Sequence, residues 1–162
     1  MGLRDAPRRV LKMRPDDPVV LGFLDHSFVA RVATRSRTGR PALTPLWFVI
    51  EGGHFFMATG QAALAARNAV TNPEVAILLD GEAAGRSEYV LRVRGRAAVH
   101  PGLPTWGVLA RLALKYYIAP PAVRVELAHA SQWRLRQRYY AQGRGAVIEV
   151  VPETAELLRR PS

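Results

Sequence analysis

Three short segments of this 162-residue chain carry side chains suited to holding an anionic ligand. The run Thr44-Pro45-Leu46-Trp47 is strand-like, but Pro45 has no N–H to give to a neighbouring strand. That run is therefore expected at a sheet edge, at a bulge, or open to a ligand. Thr59-Gly60 precedes an alanine-rich stretch, and a helix is expected from Gln61 to Asn72, its end set by Pro73. The free N–H groups and partial positive charge of such a helix start make the Thr-Gly turn a candidate phosphate cradle, although a plain structural cap would look the same. Arg67, on the same helix, offers a guanidinium that can pair bidentately with phosphate, or else belongs to a solvated face.

Other groups read two ways. Between Tyr89 and His100 the residues alternate, with Leu91, Val93, Gly95, Ala97 and Val99 on one face and Arg92, Arg94 and Arg96 on the other. This is a half-buried strand whose arginines are solvated or form a ladder facing an anionic ligand or a partner subunit. Tyr116, Tyr117, Tyr139 and Tyr140 are packing residues or proton donors toward a substrate. No catalytic acid-base pair stands out.

The absence of cysteine excludes disulfides, thiolate metal sites and cysteine nucleophiles. His26, His54, His100 and His129 lack a two-histidine metal spacing, so no metal is expected. The formal net charge of +10 is almost wholly arginine, because Lys12 and Lys115 are the only lysines. Such a field attracts polyanions, through a nucleic-acid surface or a pocket for a phosphorylated cofactor, unless it is only a compositional bias. Arg4, Arg8, Arg9 and Arg14 form a basic N-terminal arm, residues 1–17, but no nucleic-acid module surrounds them. No apolar stretch is long enough to span a membrane, and no signal-peptide core precedes the fold, so a cytoplasmic protein is expected.

The elements that must position these groups fit one domain spanning residues 1–162, with 49% apolar and 22% charged residues. Asp17-Pro18 starts a short helix with an apolar face at Val19, Val20, Phe23 and Leu24. Strands are expected over Phe28–Thr34, Ala42–Ile50 and Phe55–Thr59, joined by glycine turns at Gly39 and Gly52-Gly53, then over Val75–Asp80 and Tyr89–His100. Residues 101–145 read as a helical insertion: one helix with a stripe of Trp106, Leu109, Ala113 and Tyr116, a second over about Pro121–Ala128, and an arginine-rich third over Ser131–Gln142. Ala146–Val151 returns to strand, and 152–162 reads as a C-terminal tail, a helical turn or docking segment.

The pieces Val32-Ala33-Thr34, Gly39-Arg40-Pro41, Thr44-Pro45-Leu46-Trp47-Phe48, Ala58-Thr59-Gly60, Ala66-Arg67-Asn68 and Asn72-Pro73-Glu74-Val75, taken in order, resemble the pyridoxamine 5'-phosphate oxidase-like split-barrel superfamily. The resemblance covers about Val19 to Val99. It implies an α+β, mainly antiparallel fold: a six-stranded split β-barrel with peripheral helices. It also implies a homodimer holding FMN, or alternatively a deazaflavin coenzyme or, less favoured, haem, between the subunits. By the same resemblance Thr44, Pro45, Leu46, Trp47, Thr59, Gly60 and Gln61 contact the cofactor, and Arg67 and Asn68 contribute from the helix. The implied activity is hydride transfer to or from a small organic substrate. The resemblance implies an Arg-Lys pair on this helix in true pyridoxamine-phosphate oxidases and a lysine in many deazaflavin-binding relatives, where this chain has Leu64 and Ala65, so true pyridoxamine-phosphate oxidase activity is not expected. A non-catalytic deazaflavin- or haem-binding protein is the alternative, and a basic nucleic-acid-associated protein the second.

Overall fold

The computed structural model describes residues 10–82, 84–118 and 144–160. The basic positions Arg4, Arg8 and Arg9 and the two helices expected between 121 and 142, with Tyr139 and Tyr140, lie outside the described residues. The rest forms strands β1 (Val10–Met13), β2 (Val29–Arg35), β3 (Pro41–Trp47), β4 (Val49–Glu51), β5 (His54–Gly60), β6 (Glu74–Asp80), β7 (Tyr89–Pro101) and β8 (Gly145–Arg159). Helices α1 (Pro18–His26), α2 (Leu64–Thr71) and α3 (Trp106–Ala113) accompany them, α3 running into a π-helical turn at Leu114–Ile118.

Local chemistry accounts for the element ends. Asp17 caps α1 by accepting a hydrogen bond from the Val19 amide at 2.8 Å, with Pro18 at the first helical position, where its missing N–H costs nothing. Gly39, Gly52 and Gly53 turn the β2–β3 and β4–β5 hairpins with positive φ, a region open to glycine.

All pairings are antiparallel, and the strands order as β3-β2-β6-β7-β8-β5-β4 with β1 added to β8. The two outermost strands of that path, β3 and β4, are separated in sequence by Phe48 alone. Two Cα–Cα steps span at most about 7.6 Å, so the sheet must curl until its ends nearly meet. The result is a split barrel, with eight strands among the described residues rather than the expected six. Inside it pack Val20, Phe23, Val32, Phe48, Phe55, Met57, Ile77, Leu79, Leu91, Val93 and Ile148, all about 1% exposed or less. The alternation of β7 is as expected, since Leu91, Val93 and Gly95 are buried while Arg94 and Arg96 are exposed.

Five expectations need correction. The strand expected over Ala42–Ile50 is broken at Phe48, because its first half pairs with β2 and its second with β5. Helix α2 begins at Leu64, not Gln61, since Thr59 and Gly60 are still paired with Ala146 and Gly145 of β8. The stripe on α3 is displaced: Trp106 is 87% exposed and Val108 and Leu112 face inward, while Tyr116, in the π-helical turn that follows, is buried as expected. The tail expected from Pro152 is strand to Arg159; proline is accommodated because the β7–β8 register shifts at Arg94/Gly95, leaving Pro152 at a bulge. Likewise part of the N-terminal arm, Val10–Met13, is a strand against β8.

Candidate functional site

The fold brings the three sequence segments together, since α2 lies against β2 and β3, and β3 approaches β5. It does not point all of their side chains the same way. In the β2–β3 register Thr44 faces Val32 and Leu46 faces Ala30, two residues fully buried inside the barrel, whereas Pro45 and Trp47 lie on the outer face opposite Arg31 and Val29. Pro45 sits on the edge strand, as its missing donor requires. The Trp47 ring is stacked on Tyr116 at 4.6 Å and 7°, so one of its faces is already covered.

Thr59 and Gly60 end β5, and Gln61 is tied to β8 by its amide to Arg144 O at 2.8 Å and its side chain to Gly145 O at 3.1 Å. Asn68 is buried and donates to Thr34 Oγ1 at 3.0 Å, bracing α2 against β2. Arg67 is exposed, and its guanidinium meets no hydrogen-bond or ion-pair partner among the described residues. By contrast Arg31 pairs with Asp80 and Arg35 with Glu74 on the same sheet. The N-cap of α2 is Ala63, which has no side-chain acceptor, so the first-turn amides of this helix are uncapped by a side chain. Leu64 is exposed and Ala65 fully buried, and neither supplies a charge.

The tyrosine expected as packing residue or proton donor has a definite task. Tyr116 Oη accepts from the Phe48 amide at 2.8 Å, and its proton is directed at Phe28 O at 2.6 Å and Phe48 O at 2.8 Å. Burial pushes the phenol well above its ordinary value, so it holds its proton rather than transferring it. Sequence reasoning missed its neighbour Lys115, whose ammonium lies 3.7 Å from the centroid of the Phe48 ring. The available signal was the rarity of lysine in a chain rich in arginine.

The arginine ladder of β7 is partly neutralised from β8: Arg92 pairs with Glu156 and Arg94 approaches it at 3.9 Å. Histidines distant in sequence converge instead on Glu149, with His54 Nδ1 at 2.7 Å and His100 Nε2 at 2.8 Å. Those two hydrogen bonds, His54 first, hold the Glu149 carboxyl below its ordinary value of 4.5, against a smaller opposing effect of burial. Because the folded value is depressed, the stabilisation is present above about pH 4.5 and is lost as pH falls through the folded value. Glu149→Gln is expected to cost about 1 kcal/mol at pH 7, discounted for partial exposure. The variant's unfolding midpoint should also fall less steeply below pH 5 than that of the parent, which denaturant titrations at pH 7, 5 and 4 would measure. Among the described residues, no group of three or more His, Cys, Asp or Glu side chains is arranged to hold a metal. No described helix is long and apolar enough to cross a membrane.

With this geometry in place, comparison with known proteins gives the class. Residues 16–159 match the Pyridoxamine 5'-phosphate oxidase family, and the chain belongs to it. No curated protein matches in a sequence search. A solved F420 reductase shares the fold with a TM-score of 0.58 and 21% identity, over 82% of this chain and 92% of that one. A conserved hypothetical protein from Mycobacterium tuberculosis does so at 0.61 and 18%, over 92% and 90%. The heme storage protein HutZ from Vibrio cholerae does so at 0.53 and 18%, over 91% and 96%.

Proposed function

We propose that this chain is a flavin-type cofactor-dependent oxidoreductase, acting as a homodimer on a small organic substrate and distinct from true pyridoxamine-phosphate oxidases. The observation that carries the reading is the pairing of a helix start lacking a side-chain cap with an exposed, unengaged Arg67, beside the edge strand β3 and the end of β5. N–H groups and a guanidinium on one helix suit the phosphate of FMN or of a deazaflavin coenzyme. The outer positions of β3 supply apolar surface, and the Thr59–Gln61 segment supplies hydrogen-bonding groups. Bound there, the ring would supply hydride donation or acceptance. The chain's own residues would hold the phosphate, orient the ring edge and exclude water. The exposed apolar Val29 and Leu43 on the β2–β3 outer face support assembly through that face.

A second reading, a non-catalytic protein holding a deazaflavin or haem, is favoured by the missing cations at Leu64 and Ala65. Among the described residues, Arg31, Arg35, Arg92 and Arg160 are each paired with a carboxylate, which weighs against the nucleic-acid reading. Titration with FMN, coenzyme F420 and haemin, followed by fluorescence and absorbance, separates these readings. Arg67→Ala is expected to weaken FMN or F420 binding about tenfold or more, the scale of one charge-assisted hydrogen bond. If Thr59→Ala with Arg67→Ala leaves that binding unaltered, the site assignment is wrong. Protein that takes up none of the three would sink the cofactor reading.

A further inference from the structure

Between α1, β4, α3 and the π-helical turn lies an open cleft of about 470 Å³ lined by Leu24, Asp25, Val49, Ile50, Arg111, Leu114 and Lys115. Its volume is that of an ordinary small-molecule site, and its wall is largely apolar. Two cations stand on it one helical turn apart. Arg111 is held loosely, its Nε 3.6 Å from Glu51 Oε1, which leaves its other N–H groups to bind. Lys115 has neither a hydrogen bond nor an ion pair among the described residues and rests against the Phe48 ring. Its Nζ is not sealed off, because among the described residues Ser27 Oγ alone is a fully covered side-chain polar atom without a partner.

An ammonium carries three donors, and one kept half-buried without acceptors is a group waiting for an anion. We propose that this cleft binds a small organic carboxylate with an apolar body, gripped by Lys115 and Arg111, independently of any cofactor. The apolar walls exclude a simple inorganic ion as the best fit, and the two neighbouring cations match the two oxygens of a carboxylate. The ionisable neighbours of Lys115 are Asp25 from α1, Arg111 from α3 on the same cleft wall, and the Tyr116 ring, whose centroid lies 5.6 Å from Nζ, while Glu51 from β4 sits by Arg111. Desolvation lowers Lys115 from 10.5 to about 8, with Asp25 opposing. A carboxylate would favour the charged amine, so its binding is expected to draw in part of a proton near pH 8.5 and almost none at pH 6.5.

Calorimetry with phenylacetate and its neutral isostere phenylacetamide tests this on the unmodified chain. Phenylacetate is expected to bind at least tenfold more tightly than the amide, with proton uptake at pH 8.5 revealed by buffers of different ionisation enthalpy. Lys115→Met should lose at least tenfold in affinity. Lys115→Arg should keep binding but abolish the decline above pH 8. Equal binding of acid and amide, no binding of either, or the absence of proton uptake would overturn the proposal, and none of these results depends on a variant folding.

Discussion

Tyr116→Phe is expected to destabilise the fold by about 3 kcal/mol, although it removes a single oxygen atom. That oxygen serves three backbone groups where the chain crosses from β3 to β4 and Phe48 has no ladder partner. Phe48 lies between β3 and β4, so neither β2 nor β5 pairs with it, and its N–H and C=O would otherwise be orphaned inside the barrel. The phenol accepts from that N–H and donates toward Phe48 O and Phe28 O. Phenylalanine keeps the ring and its stack on Trp47 but leaves a buried donor and acceptors unmatched, each costing about 1–3 kcal/mol. For a domain of this length the loss corresponds to a melting temperature lower by about 9 °C. Calorimetric or circular-dichroism melts of the two proteins provide the measurement. A drop below about 2 °C would mean that the crossing at Phe48 is held by something other than this hydroxyl.

The reason this strap was not visible in the sequence is instructive about the rest. Strand positions were legible where a face alternates, as in β7, or where turn chemistry is strict, as at Gly39 and Gly52-Gly53, because these signals are local. The Asp17-Pro18 helix start was legible for the same reason. The break at Phe48 was not, because an apolar run looks the same whether it pairs with one partner or changes partner midway. The site pieces were recognised as pieces, yet a linear reading could not tell that Thr44 and Leu46 turn inward while Pro45 and Trp47 turn outward. Nor could it show that Asn68 is taken up by Thr34 while Arg67 is not. The convergence of His54 and His100 on Glu149 depends on the β5–β8–β7 order, which only long-range pairing determines.

The second large effect is expected in Gly95→Ala, opposite Pro152. Proline within a fifteen-residue strand is tolerated because β8 bulges there, with Arg94 opposite Thr154 but Gly95 opposite Pro152. The bulge drives the β8 backbone toward β7: a Cβ at Gly95 would overlap the carbonyl of Val151 and come within 3.1 Å of Pro152 Cα. Neither obstacle is a side chain that could rotate away, so the longest ladder in the sheet must shift. We expect Gly95→Ala to cost about 3 kcal/mol, the upper end of overpacking, with a melting temperature about 9 °C lower. The damage should concentrate where β7 meets β8, so hydrogen exchange at the amides flanking the bulge should rise more than at those of β2 and β3. Gly39→Ala makes a useful comparison, for no atom lies within 4 Å of its added Cβ and its cost is confined to the positive φ of 82°. If Gly95→Ala were no worse than Gly39→Ala, the close approach of β8 to β7 would not be the reason glycine stands there.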